Sequence, residues 1–93
     1  MTEAELTKKI RADLKAIGAK AIKIRGARHT ERGTPDLIGS WRGRFFGIEV
    51  KVGRNKCSPI QEQRLAEWAA TGAVVVVAYE NWDVQEFMGV FDE

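Results

Sequence analysis

Apolar residues recur along this chain first at helical and then at strand spacing, and the changes of period predict its elements. Leu6, Ile10, Leu14 and Ile17 return every three or four residues, the stripe of a helix with one buried face. Thr2 with Glu5 three residues later opens that helix as a capping box, and Gly18 closes it. Ile22 and Ile24 alternate with Lys23 and Arg25, which suggests a strand, and a polar loop runs from Gly26 to Thr34. Phe46, Ile48, Val50 and Val52 alternate again, so Glu49 and Lys51 share the face opposite them. Asp36 to Trp41 supplies a partner strand, with the turn at Arg42-Gly43. Ser58 as N-cap, Pro59 in the first helical position and Gln61 as box partner open a second helix, with Leu65, Trp68 and Ala69 facing inward and Gly72 at its end. Ala73 to Tyr79 is a nearly continuous apolar run, the signature of a fully buried strand, and Asn81 caps a short last helix holding Val84, Phe87 and Met88. Helix, strand, strand, strand, helix, strand, helix implies an α/β mixed sheet flanked by helices.

The hairpin carries the chemistry. Pro35 stands at the start of its first strand, where a missing N–H costs little. With a two-residue loop, Trp41 meets Arg44, Ile38 meets Gly47 and Asp36 meets Glu49. Opposed residues have Cβ atoms ~5 Å apart on one face. Two uncompensated carboxylates at that distance repel until one takes a proton. A hard divalent cation removes the penalty, and oxygen ligands are what Mg²⁺ or Mn²⁺ prefer. Arg-Gly is not the pair that two-residue hairpins favour, and a loop of odd length would part the two acids.

Composition sets the frame for this site. Ninety-three residues make one domain, 1–93, with a small but adequate core. No apolar run approaches the ~20 residues of a membrane span and the N-terminus lacks a signal-peptide core, so a soluble, cytoplasmic protein is expected. The single Cys57 excludes an internal disulfide or a cysteine zinc cluster and reads as inert. The net charge of +2 is uneven: Lys20 to Lys56 hold ten basic residues against Glu31, Asp36 and Glu49, a balance of +7, and the flanks hold −5. Positive charge therefore surrounds the acidic pair, as a phosphate backbone requires. Arg25, Arg28, His29 and Arg32 flank the pair, and Arg54 and Lys56 extend the patch beyond Lys51; all six are candidate nucleic-acid contacts. His29 has no His or Cys partner at metal spacing. Trp41, Trp82, Phe87 and Phe91 read as core or interface residues.

Arg32-Gly33-Thr34-Pro35-Asp36, Ile48-Glu49-Val50-Lys51 and Ser58-Pro59-Ile60-Gln61 together resemble the motifs of the virus-type replication-repair nuclease (VRR-NUC) domain of the PD-(D/E)xK nuclease superfamily, over a stretch from Glu3 to about Asp83. The resemblance implies a restriction-endonuclease-like fold of order αβββαβ plus a short C-terminal helix. It implies that Asp36, Glu49 and the Val50 carbonyl hold Mg²⁺ or Mn²⁺, and that Lys51 is the catalytic lysine. Families of this kind place an extra acid on the first helix, which Glu3 matches. Glu3 also falls on that helix's inward stripe, where its plain alternative is a terminal acid favoured by the helix dipole. Gln61 is a further candidate, able to bond Lys51 or the attacking water in addition to its capping role.

The expected function is a metal-dependent, structure-selective DNA endonuclease, a Holliday-junction resolvase in a bacterial or viral setting. A homodimer suits a four-way junction, since two symmetric cuts need two sites. Phe87, Met88, Val90 and Phe91 are candidate dimer contacts or caps on their own core. The alternatives are a monomeric flap endonuclease or nickase, a catalytically inactive DNA-binding module, and a protein-interaction domain with an acidic partner.

Overall fold

A computed structural model of the chain describes residues 1–24 and 31–92. The elements are α1 (Glu3–Ala16), β1 (Lys20–Lys23), β2 (Leu37–Trp41), β3 (Arg44–Val50), α2 (Pro59–Ala70), β4 (Val74–Ala78) and α3 (Val84–Val90). The expected order is observed. The strands form one mixed sheet, β1-β2-β3-β4, antiparallel except for the parallel β3–β4 pair. The connection from β3 to β4 passes through α2, as a parallel pair requires.

Both capping boxes form. Glu5 N–H donates to Thr2 Oγ1 at 3.1 Å while Thr2 N–H donates to Glu5 Oε1 at 2.9 Å. Gln61 N–H donates to Ser58 Oγ at 3.3 Å while Ser58 N–H donates to Gln61 Oε1 at 2.8 Å. Two donors at each helix start, which the helix itself leaves unpaired, are thereby satisfied.

The core lies on the sheet face covered by α1 and α3. Leu6, Ile10 and Leu14 meet Leu37, Phe46, Ile48 and Val50, with Trp82 and Phe87 closing the layer. Trp41 donates its indole N–H to the Ile17 carbonyl at 3.0 Å, and Trp82 donates to Asp13 Oδ2 at 2.9 Å, so neither buried indole is left unpaired. The opposite face is thinner, with Phe45 stacked on Trp68 of α2 at 4.8 Å between ring centroids.

Several expectations shift. The apolar run from Ala73 to Tyr79 is not fully buried: β4 is an edge strand, and Val77 is 38% exposed because its face has only α2 beside it. Trp68 and Ala69 are exposed, leaving Leu65 as the buried residue of α2. Asp83, not Asn81, caps α3, its carboxylate accepting the Gln85 N–H at 2.8 Å. Phe87 is buried, and Phe91 packs edge-on against Trp41 at 5.0 Å, so the C-terminal aromatics cap their own core rather than form an open surface. Glu3 is exposed at the helix start. Among the described residues, no helix is long and apolar enough to cross a membrane.

Candidate active site

The hairpin turn has two residues, and both take left-handed backbone angles, Arg42 at φ 51° and Gly43 at φ 75°. This is the twist that closes a two-residue hairpin. Arginine pays ~1–2 kcal/mol for that conformation. Its guanidinium lies over the Trp41 ring at 4.2 Å and 3.6 Å from Asp92, exposed contacts that offset part of the cost. The ladder that results pairs Trp41 with Arg44, Ile38 with Gly47 and Leu37 with Ile48. One step further along that register stand Asp36 and Glu49.

Asp36 lies one residue outside β2, in a bend after Pro35. Its carbonyl still accepts the Ile24 N–H at 2.8 Å, and its Oδ2 accepts the Val50 N–H at 2.8 Å. Two other contacts set this position. Pro35 is fully buried, and a Cβ at Gly47 would stand 3.0 Å from its ring. Gly33 adopts φ 82°, and a Cβ there would come within 2.7 Å of the Ile60 carbonyl oxygen of α2. The Arg-Gly-x-Pro-Asp run is thus a segment pressed between α2 and β3, which delivers the aspartate to the sheet end.

Arg64 of α2 fixes the same segment. It donates to the Arg32 carbonyl at 3.1 Å and pairs with Glu31 at 3.2 Å and Glu67 at 3.1 Å. Sequence pattern did not single it out. Its only signal was a basic residue on a half-polar helix, which is ordinary on a surface.

Glu49 is the unusual group. It is 2% exposed, and its Oε2 has no hydrogen-bond partner. β3 is central in the sheet and buried on both faces, so the alternation expected of a strand with one wet face breaks down here. Burial pushes the Glu49 carboxyl up to about 8, with hydrogen bonding and charge from Asp36 adding to the shift, Lys51 opposing it and Glu3 contributing weakly. Between two ionised carboxylates there is no donor, so the oxygen stays unpaired until a proton or a cation arrives.

A divalent cation fits this arrangement. The observation that carries the fit is the orphaned buried carboxylate oxygen beside a second acid. Among the described residues no three His, Cys, Asp or Glu side chains converge on one point. Side chains of the described residues alone therefore build no cage. Two carboxylates supplemented by backbone, water and phosphate oxygens suit Mg²⁺ or Mn²⁺ better than zinc.

The remaining candidates are dispersed. Lys51 is half-buried just past β3, its N–H donating to the Ala78 carbonyl at 2.9 Å. Gln61 is half-buried with its Oε1 engaged in the capping box. Glu3 lines the same open hollow of about 740 Å³ as Asp36, without joining the acidic pair in a ligand set. Arg32, Arg54 and Lys56 are exposed, and Arg25, Arg28 and His29 lie outside the described residues. The loop bearing Arg54 and Lys56 is held at two points. Gly53 N–H donates to Glu80 at 2.9 Å, and Tyr79 Oη donates to the Asn55 carbonyl at 2.8 Å. Burial, with the nearby Glu49 charge adding to it, raises the Cys57 thiol above its ordinary value.

No protein-family model and no curated protein matches the chain. Solved structures do. A VRR_NUC domain superposes with a TM-score of 0.69 at 27% identity, over 81% of this chain and 81% of that one. The Holliday junction resolvase Hjc of the archaeal hyperthermophile Archaeoglobus fulgidus superposes with a TM-score of 0.63 at 20% identity, over 85% of this chain and 70% of that one. At that identity the second likeness speaks to fold.

Proposed function

From a chain with a VRR-NUC-like PD-(D/E)xK nuclease fold, we propose a Mg²⁺- or Mn²⁺-dependent endonuclease that hydrolyses phosphodiester bonds in branched DNA, four-way junctions foremost. The observation that carries this reading is Glu49: a buried acid with an orphaned oxygen beside Asp36, at the end of a sheet that opens on a hollow. A fold gains nothing from such a pair unless something compensates it.

Asp36, Glu49 and the Val50 carbonyl are the groups that would hold the ion. Bound there, it would polarise a phosphate oxygen and lower the pKa of a water. Asp36 is oriented by the hydrogen bond that its carboxylate accepts from the Val50 N–H. Lys51 supplies a positive charge that offsets charge developing on the phosphoryl oxygens and orients the water. Gln61 has its carbonyl oxygen committed to the helix cap, which leaves its amide NH₂ to bond that water. Glu3 is assigned an outer role, through water, at the rim of the hollow. Arg32, Arg54 and Lys56, with Arg25, Arg28 and His29, contact the phosphate backbone.

The proposal includes a homodimer, because two symmetric cuts need two sites. The C-terminal aromatics no longer supply its surface; both sheet edges carry an exposed apolar residue, Ile22 on β1 and Val77 on β4, and β4, which lacks the lysines of β1, is the edge assigned to the partner. The deciding experiment is a cleavage panel of linear, flapped and four-way DNA with and without Mg²⁺, with sedimentation alongside. Paired, metal-dependent cuts in the junction by a dimer are expected. Preferred cutting of flaps by a monomer would instead make the protein a flap nuclease, and binding without cleavage would make it an inactive DNA-binding module.

A further inference from the structure

Basic side chains of α1, which lie outside the patch around the acidic pair, join Lys20 and Lys23 of β1 in lining a continuous seam that begins at Asp36. The hollow of about 740 Å³ beside Asp36 is also lined by Arg11 and Lys23. Both residues line the adjoining hollow of about 300 Å³, together with Lys8. Arg11 then lines a third hollow of about 420 Å³, with Lys15 and Lys20, along the C-terminal half of α1. Five cations thus follow the groove between α1 and the edge strand β1, with Asp36 at one end.

Their arrangement is costly without a partner. Lys8 and Arg11 stand three residues apart and Arg11 and Lys15 four, on one side of the helix, where like charges destabilise by a few tenths of a kcal/mol. Among the described residues, none of the five forms an ion pair with a carboxylate. Asp13, the acid within this stretch of α1, is taken by the Trp82 indole N–H. Lysines on an edge strand have a plain use, which is to prevent edge-to-edge pairing. That use explains Lys20 and Lys23 but not the α1 residues, which lie on no strand.

We infer that the α1–β1 seam is a nucleic-acid track: it holds the phosphate backbone of a DNA arm leading away from the scissile phosphate at Asp36. The inference rests on the nuclease reading above and adds to it a path for the substrate. A polyanion running along the seam relieves the repulsion within α1, and its affinity depends on salt through the counterions released. The track also explains an apparent asymmetry in the sequence. Residues 1–19 look unpromising because Glu3, Glu5 and Asp13 balance most of their four basic residues. In the fold Glu5 is engaged in the helix cap and Asp13 by Trp82, Glu3 lines only the hollow at the Asp36 end, and the cations run on along the groove beyond it.

The test is fluorescence anisotropy of a labelled four-way junction in chelator, across a salt series, with wild type, Arg11→Gln/Lys15→Gln and Arg11→Lys/Lys15→Arg. Both positions are exposed, so thermal unfolding should be unchanged and serves as the folding control. The neutral double variant should bind more weakly, with the slope of log K against log salt reduced by about two. The charge-preserving variant should keep the wild-type slope. An unchanged slope in the neutral variant, with metal-dependent cleavage intact, overturns the track and leaves the nuclease reading standing. Loss of binding to phosphatidylserine vesicles with DNA binding unchanged assigns the seam to a membrane and overturns it equally. Wild type that binds no DNA removes the nuclease reading and the track together.

Discussion

Val50 donates its backbone N–H to the Asp36 carboxylate at 2.8 Å across fourteen residues of sequence. The bond ties the segment before β2 to the end of the central strand. It places one acid against the residue that follows the other. The position of Asp36 therefore depends on backbone geometry at β3, and side-chain changes at the site should leave the fold intact.

Asp36→Asn and Glu49→Gln should abolish metal-dependent cleavage while the protein stays folded. Asparagine keeps an oxygen for the Val50 N–H, and glutamine removes one of two repelling charges. In chelator at pH 8, Glu49→Gln should be more stable than wild type, on the order of 1–3 kcal/mol, since a one-unit pKa shift corresponds to ~1.4 kcal/mol. Calorimetry and a cleavage assay check both parts. Undiminished wild-type activity in excess chelator would remove the metal from the mechanism.

Metal-free protein should lose stability as pH rises from about 4.5 to about 8. An unfolded glutamate gives up its proton near the ordinary value of 4.5, whereas the folded Glu49 keeps it to about 8. Between these values the folded state holds more protons, so the slope of stability with pH is negative. Mn²⁺ at ~100 times its Kd should add ~2.7 kcal/mol. Binding near neutral pH should release a proton. Denaturation midpoints that do not change over this range would contradict the buried, proton-holding Glu49.

Lys51→Ala should lower kcat about a hundredfold or more, the usual scale for loss of one group stabilising transition-state charge. Mn²⁺ affinity should change far less, because the lysine is not a ligand. Parallel titration calorimetry and single-turnover kinetics separate the two. Equal losses would reassign Lys51 to metal binding.

Gly33→Ala should destabilise the fold by about 2–4 kcal/mol, because the new Cβ meets the α2 backbone and the left-handed angle is strained as well. Gly43→Ala is the comparison. It has a similar positive φ of 75° but open space around it, so it should cost only ~1 kcal/mol. Urea denaturation of both variants tests the difference. Equal costs would mean that contact with α2 does not hold the Asp36 segment.

Local pattern was enough for much of this molecule. Thr2 with Glu5 and Ser58 with Gln61 are bonds within one helical turn, so their spacing alone settles them. A two-residue turn fixes the parity of a hairpin, and the register from Trp41–Arg44 to Leu37–Ile48 follows from it. That register brings Asp36 to Glu49. Burial is a different kind of quantity, since it depends on which strand lies at an edge and which helix covers which face. The apolar run of β4 reads as core, yet strand order puts it at the sheet edge with Val77 in solvent. Alternation places Glu49 on the polar face of its strand, yet β3 is central and the carboxylate is buried with an unpaired oxygen. The grip of Arg64 on Arg32 spans 32 residues, and the α1–β1 seam joins cations from two elements. Only the packed chain brings such groups together, because no periodicity within a segment encodes contacts between segments.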